Sequence, residues 1–297
     1  MNAAVALLLA ASLATDVSTV QKRYDSVEAK RLVPMLSEVL QFPTLAFQTE
    51  AHEAQKAWLL KTATDLGFVA RDAGKITEIE LPGPAGAPVV GLIVHGDVVA
   101  VDADAWSFPP FGGTSDEQFV YGRGSVDDKG PLVQALLAMK ALEQSGVART
   151  HTIRLLVGSE EESEAVEMKE YLATHAAPDY SLVLDAQFPV VAGEKAWNAV
   201  AVEAVLTDDG SKPYTVTELL AGLAPSIVPD RAEVKLKWKD PSPARWQDLE
   251  PKLRKVKLPE GTRLAMLATG AEFHIVTYGK SAHAGMNAEA GRNALVA

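Results

Sequence analysis

The stretch Val89-Val-Gly-Leu-Ile-Val-His-Gly-Asp97 decides how the rest of the chain is expected to fold. An apolar run of this length between Pro88 and Gly96 predicts a buried central strand that delivers His95 and Asp97 at its end. Side chains alternate along a strand, so His95 and Asp97 project the same way if the extended conformation persists through Gly96. Ligands of open α/β sheets bind at the carboxyl ends of strands. The pair is therefore a candidate metal ligand with its orienting carboxylate.

Composition is that of an ordinary globular protein. The 297 residues are 47% hydrophobic and 23% charged, a length that predicts one or two domains. A net charge of −11, with Lys and Arg scattered, argues against nucleic acid or an anionic membrane as the main partner. Because the chain has no cysteine, any metal must be bound by His, Asp and Glu.

The N-terminus allows two interpretations. Residues 1–14 have the length and hydropathy of the apolar core of a secretory signal peptide, but no basic residue precedes Lys22. A signal peptide would make the protein periplasmic or secreted, whereas a plain amphipathic helix at this end would fit a cytoplasmic protein. No apolar run reaches the length of a membrane span.

Hydrophobic periodicity predicts alternating helices and strands, with Thr49 as a helix N-cap and Pro131 at the first position of a helix. Helices are predicted over Ser26–Leu40, Thr49–Leu66, Leu132–Gln144 and Val166–Ala173, and strands over Phe68–Ala70, Lys75–Leu81, Thr152–Val157 and Tyr180–Leu184.

Acidic residues stand at the end of several predicted elements. Asp127 precedes a helix, Glu161 and Glu162 follow one buried strand, and Asp185 follows another. Single residues of this kind have ordinary explanations, such as helix capping by Asp127 and Asp128. Carboxylates or imidazoles at four neighbouring positions, His95 included, predict a divalent-metal cluster.

Other features have simpler interpretations. Glu164, Glu167 and Glu170 have the three-residue spacing of a solvated helical face. The aromatic residues Trp106 and Phe108 in a Pro- and Gly-rich loop are equally compatible with the wall of a site and with a small core beneath the loop.

A cluster of this composition suits amide hydrolysis. Two-metal sites hold their ions about 3.5–4 Å apart, share a water and polarise the scissile carbonyl. A further carboxylate takes the proton of the water and passes it to the leaving amine.

Five motifs carry a family resemblance: His95–Val99, Trp106 with Pro109–Phe111, Gly122–Pro131, Gly158–Ser163, and Leu184–Pro189 with Gly193–Lys195. Together they resemble the di-zinc metallopeptidases of clan MH, and most of all their bacterial dipeptidase V branch. The resemblance implies an α/β fold with a mixed, largely parallel central sheet flanked by helices and an inserted α+β lid. It implies a catalytic domain over residues 1–193 and a lid over residues 194–297. The implied substrates are dipeptides or N-acyl amino acids.

The resemblance also implies roles for the site residues. His95 and Asp185 would bind one zinc ion, Asp127 would bridge two, and Glu162 would bind the other, with Co²⁺ or Mn²⁺ as possible substitutes. Glu161 would be the general base, and Asp97 would hold the imidazole of His95. The family pattern has Asp-Glu-Glu where this chain has Glu160, Glu161 and Glu162. Ser163 stands at the family's next position and so aligns Glu161 and Glu162 with the two family glutamates.

In the lid, Tyr278–Gly285 resembles the motif whose His reaches the substrate, here His283, and Ser226–Asp230 resembles a turn that usually begins with Asn. Strands are predicted over 199–207 and 232–239, and helices over 217–223, 246–253 and after Glu289.

The family's shell around the second zinc includes a C-terminal His, but no His follows His283 before Ala297. The resemblance therefore implies either a truncated copy or fragment, or a second polypeptide that supplies the remainder, with a homodimer as the other partner. We expect the isolated chain to bind the metal at Glu162 weakly and to hydrolyse its substrates poorly. A non-catalytic metal-binding module is the main alternative to an enzyme. A magnesium-dependent phosphohydrolase is a third, which His95 and His283 disfavour.

Overall fold

The chain divides into two units, Met1–Val191 and Ala192–Ala297. The computed structural model describes residues 14–163, 165–186, 191, 211, 213–223, 227–239, 244–269, 272–283 and 290–296. The predicted boundary at 193/194, the strand predicted over 199–207 and the first 13 residues of the predicted signal segment lie outside these ranges. No helix within them is long and apolar enough to cross a membrane.

The first unit alternates helices and strands, as its periodicity predicts. Its helices are α1 (Ala29–Val39), α2 (Thr49–Asp65), α3 (Lys129–Gln144) and α4 (Glu167–Leu172), and its strands are β1 (Val69–Ala73), β2 (Ile76–Leu81), β3 (Val89–His95), β4 (Thr114–Ser115), β5 (Val120–Tyr121), β6 (Thr152–Gly158) and β7 (Tyr180–Val183). Helical residues 14–23 and a π-helical turn, Tyr24–Glu28, precede α1, so helical structure extends before the predicted start at Ser26.

Five strands form the central sheet, in the order β1-β2-β6-β3-β7. β3 lies parallel to both β6 and β7, with His95 opposite Gly158 and Ile93 opposite Val183. Only β2 runs against the other four strands of this sheet. The predicted mixed, largely parallel sheet is confirmed, and β3, β6 and β7 end at one edge.

Apolar side chains bury both faces of this sheet. Leu155 and Val157 of β6 belong to the main core with Leu136 of α3, together with residues of α1 and α2. Leu156 points to the opposite face, as alternation requires, and packs near Tyr171 of α4. Helices therefore flank the sheet, as predicted.

Three local predictions in this unit are wrong. Gln48, not Thr49, is the N-cap of α2, and it makes no side-chain capping bond. α3 begins at Lys129, which makes Pro131 its third residue, still in the first turn where proline is tolerated. Glu167 is buried because α4 turns it towards the end of β6, where its Oε1 is 2.8 Å from the position a Cβ on Gly158 would take.

The second unit contains a four-stranded antiparallel sheet in the order β10-β11-β9-β8. Its elements are β8 (Tyr214–Ala221), β9 (Arg231–Trp238), α5 (Ala244–Leu253), β10 (Arg263–Thr269) and β11 (Glu272–Tyr278). β9 and α5 lie close to the strand and helix predicted there, whereas β10 and β11 are additional to the predicted elements.

Two predicted lid helices are wrong. Residues 217–221 belong to β8, because this strand begins with Tyr214, Thr215 and Val216, which have β-forming side chains, and pairs with β9. The segment after Glu289 pairs through Arg292 with Lys280 and then makes a 3-10 turn at Ala294–Val296.

Candidate metal centre

The shared edge of the central sheet gathers the predicted site residues of the first unit. His95 is the last residue of β3, Glu161 and Glu162 follow β6, and Asp185 follows β7. Asp127 comes from the turn before α3, a helix that packs on β3 and β6. The parallel pairing of three strands therefore produces the cluster from residues far apart in the sequence.

The imidazole of His95 lies at the centre of this cluster. Its Nε2 is 2.9 Å from Asp127 Oδ1, 3.8 Å from Asp185 Oδ2 and 3.9 Å from Glu161 Oε2. Two candidate ligand groups share His95, one with Glu161 and Asp185 and the other with Asp127 and Glu162, and the ligand atoms within each group lie within 4.8 Å of one another. Imidazole and carboxylate ligands suit zinc, cobalt or manganese.

Asp97 connects two parts of the site. His95 Nδ1 is 3.0 Å from the Asp97 backbone oxygen and 3.4 Å from Asp97 Oδ1. The same carboxylate, which is buried, accepts the backbone N–H groups of Glu161 at 3.2 Å and of Glu162 at 2.9 Å. One side chain therefore orients both the imidazole and the loop that carries the predicted base.

Asp128 contributes in a way that the sequence did not indicate. It occupies the N-cap position of α3 but makes no capping bond; instead its Oδ2 accepts the backbone N–H of His95 at 3.1 Å. Its Oδ1 has no hydrogen-bond partner among the described residues. Burial raises the pKa of Asp128 to about 8. The peptide bond between Asp127 and Asp128 is cis.

Lys129 is a second residue that sequence reasoning missed. It is fully buried, and its Nζ donates to the carbonyl oxygens of Val39 at 3.2 Å and Phe42 at 2.7 Å. Burial lowers the pKa of Lys129 to about 7, although Asp97 opposes this shift. The side chain fastens the end of α1 to the turn that carries Asp127.

Burial and the neighbouring carboxylates shift several pKa values. Burial favours the neutral ring of His95, but its hydrogen bonds with Asp127 and Asp97 outweigh this effect and raise its pKa to about 12. Burial, helped by Asp127, raises the pKa of Glu162 to about 7, and burial also raises the pKa of Glu161. A cluster with these shifts attracts a cation, either a proton or a metal ion.

The aromatic loop residues form two pairs. The Arg123 guanidinium lies 5.4 Å from the centre of the Trp106 ring, within the range of a cation–π interaction. Phe108 stacks on Tyr121 with ring centres 4.2 Å apart. Burial lowers the pKa of Arg123, and the opposing charges of Glu162 and Asp127 offset only part of this shift. Trp106 therefore holds a cation whose charge acts on the candidate metal ligands.

The two predicted lid motifs meet within the second unit. Ile227 pairs with His283 in an antiparallel bridge, and the backbone N–H of Val228 donates to Ala282 at 2.9 Å. His283 is exposed, and Ser226 lies outside the described residues.

Comparison with known proteins identifies the family. Residues 91–289, about two thirds of the chain, match peptidase family M20/M25/M40. The chain belongs to this family. The match spans the strand-end residues and His283, and it confirms the predicted relationship to the clan MH metallopeptidases.

Individual relatives agree with this assignment. A "Putative dipeptidase" of Staphylococcus aureus (strain USA300) is 32% identical over 186 residues, which are 62% of this chain and 39% of that protein. A protein of the same name from Staphylococcus saprophyticus is 30% identical over 177 residues, 59% of this chain and 37% of that protein. The chain spans less than half the length of these relatives.

A solved structure supports the fold. The crystal structure of human carnosine dipeptidase 1 superposes with a TM-score of 0.50 at 15% identity, covering 88% of this chain and 71% of that one.

Proposed function

We propose that this M20/M25/M40 chain forms a two-zinc centre for hydrolysis of the amide bond of dipeptides or N-acyl amino acids. The supporting observation is the convergence of His95, Asp127, Glu161, Glu162 and Asp185 at one sheet edge in a member of a peptidase family. Residues 194–297 would act as the lid over the catalytic residues 1–193.

The donor set fits zinc. It combines one imidazole with several carboxylates, in a chain that has no thiolate to offer. His95 and Asp185 would hold one ion, Asp127 would bridge both, and Glu162 would hold the other. When bound, the ions would activate a shared water and polarise the scissile carbonyl.

The protein's own groups would then orient the substrate and move one proton. Glu161 Oε2, 3.9 Å from His95 Nε2, would accept the proton of the attacking water and deliver it to the leaving amine. Asp97 would keep this carboxylate in place, because it accepts the backbone N–H groups of both Glu161 and Glu162. His283 would contact the substrate and support the developing oxyanion.

The test combines zinc analysis with hydrolysis of a panel of dipeptides and N-acetyl amino acids. Glu161→Gln is expected to lower turnover about 10²–10⁴-fold while zinc content survives. Glu117→Gln, a change at an exposed position, is the matched control. Zinc bound without turnover in the unmodified chain would favour the metal-binding module instead. Failure to bind zinc would refute both proposals.

A further inference from the structure

A separate cavity of about 350 Å³ lies in the first unit between α2, the turn before β2 and the end of β6. Its walls include Gln55, Lys56 and Leu59 of α2, Lys75 of the turn, and Val157 and Glu160. The proposed zinc ligands are not among its described lining residues, although Glu160 directly precedes Glu161. Its volume is typical of a small-molecule site.

Gln55, which lines this cavity, carries an unsatisfied acceptor. The side chain lines the cavity and is only 3% exposed, and its Oε1 has no hydrogen-bond partner among the described residues. Its Nε2 is so close to Gly96 that a Cβ on that glycine would collide with it. The amide is therefore wedged against the turn between His95 and Asp97. Buried amide oxygens are rarely left without a donor, so a ligand N–H would complete the site.

Two lysines supply hydrogen-bond donors, which complement the acceptor of Gln55. Lys56 Nζ is 3.0 Å from Glu53 and 3.4 Å from Asp72, and Lys75 Nζ is 2.9 Å from Glu160 and 3.3 Å from Glu170. An ammonium group has three N–H donors, so each lysine retains one beyond its two carboxylate partners. The two ammonium groups together face four carboxylates, so the cavity has no excess positive charge that would attract a simple anion.

We infer that this cavity binds a free amino acid as its zwitterion. The ligand ammonium would donate to Gln55 Oε1, and its carboxylate would accept from Lys56 and Lys75. Leu59 and Val157 provide an apolar wall for its side chain. Phe47 also lines the cavity and is 93% exposed, so it offers an aromatic ring to cover the ligand. This inference rests on residues outside the metal centre and does not depend on the proposed hydrolysis.

Calorimetric titration of the full chain with L-leucine tests the inference, with N-acetyl-L-leucine and L-leucinamide as analogues that each lack one charge. L-Leucine is expected to bind saturably, and each analogue at least about tenfold more weakly. The affinity is expected to be the same with zinc present and after chelation, because the zinc ligands lie outside the cavity. Absence of saturation up to about 50 mM L-leucine would overturn the inference. Equal binding of N-acetyl-L-leucine, or binding that disappears on chelation, would overturn it as well.

Two variants locate the binding. Gln55→Met keeps the side-chain volume but removes the acceptor, and Lys56→Gln removes one ammonium; each is expected to weaken L-leucine binding about tenfold. Lys61→Gln is the matched control, because Lys61 lies on the same helix, pairs with Asp65 and does not line the cavity. Thermal melting checks that both variants fold, and Lys56→Gln, at a half-buried position of α2, provides an independent test. Wild-type affinity in Lys56→Gln would place L-leucine elsewhere.

Discussion

Replacing Asp97 by Asn tests how the candidate metal centre is held together. The wild-type carboxylate accepts two backbone N–H groups, from Glu161 and Glu162, and also lies 3.4 Å from His95 Nδ1. An asparagine keeps one oxygen and turns an NH₂ group towards one of these donors. Hydrogen bonds to charged groups contribute about 1.5–3 kcal/mol each. Losing one of them and placing the asparagine NH₂ group against a backbone N–H therefore costs about 3 kcal/mol. This corresponds to about a 100-fold loss in an affinity that requires the loop to be in place.

The assay is competition between the protein and a chromogenic chelator for zinc, with urea unfolding measured in parallel. Asp97→Asn is expected to weaken zinc binding about 10–100-fold, in line with other carboxylates that orient metal-binding histidines. Asp116→Asn is a matched control, because Asp116 also accepts two backbone N–H groups, from Gln118 and Phe119, but in an exposed turn. If the two variants bind zinc equally well, Asp97 does not organise the site and the reasoning is wrong.

Three further predictions concern stability. Zinc at about 100 times its Kd is expected to stabilise the folded chain by about 2.7 kcal/mol, and a chelator should reverse the rise in Tm; an unchanged Tm would contradict the metal site. Leu136→Ala, in the fully buried core, should cost about 2–5 kcal/mol by urea unfolding, whereas Leu172→Ala on the surface should cost far less; equal losses would refute the core described above. Burial opposes ionisation of Glu80, but bonds from Arg71 and Arg154 lower its pKa, so its stabilisation exists above its unfolded-state pKa and is lost as pH falls through the folded value. Between pH 7 and pH 3 the stability of Glu80→Gln should therefore fall less than that of the wild type, and an equal fall would assign the acid sensitivity to other groups.

The first unit was predictable because its signals are local and agree with one another. β3, β6 and β7 are apolar runs bounded by turn residues, and parallel strands place their carboxyl ends together. Once Val89–His95 was assigned as a central strand, the acids after the neighbouring strands had to share its edge. The assignment of Glu161 and Glu162 to separate roles stays a prediction, since both lie in candidate ligand groups with His95.

The second unit was less predictable because its apolar residues do not follow one period. Residues 217–223, Thr-Glu-Leu-Leu-Ala-Gly-Leu, resemble a helix when considered alone, and a register irregularity between Val216 and Glu218 interrupts the alternation expected of a strand. Pairing with β9 overrides this local preference. β-Strand formation depends on such partners more than helix formation does, so an isolated segment is a poor guide.

Asp128 and Lys129 show why some of the site was hidden. Both stand at the start of a helix, where an Asp has a sufficient explanation as a cap and a Lys as a solvated side chain. Their actual partners are backbone groups, the N–H of His95 and the carbonyl oxygens of Val39 and Phe42. Backbone partners leave no trace in residue identity, because every residue except proline offers the same N–H and carbonyl groups. A sequence can therefore reveal which side chains could meet a metal ion, whereas the groups that hold those side chains in place emerge only from the folded backbone.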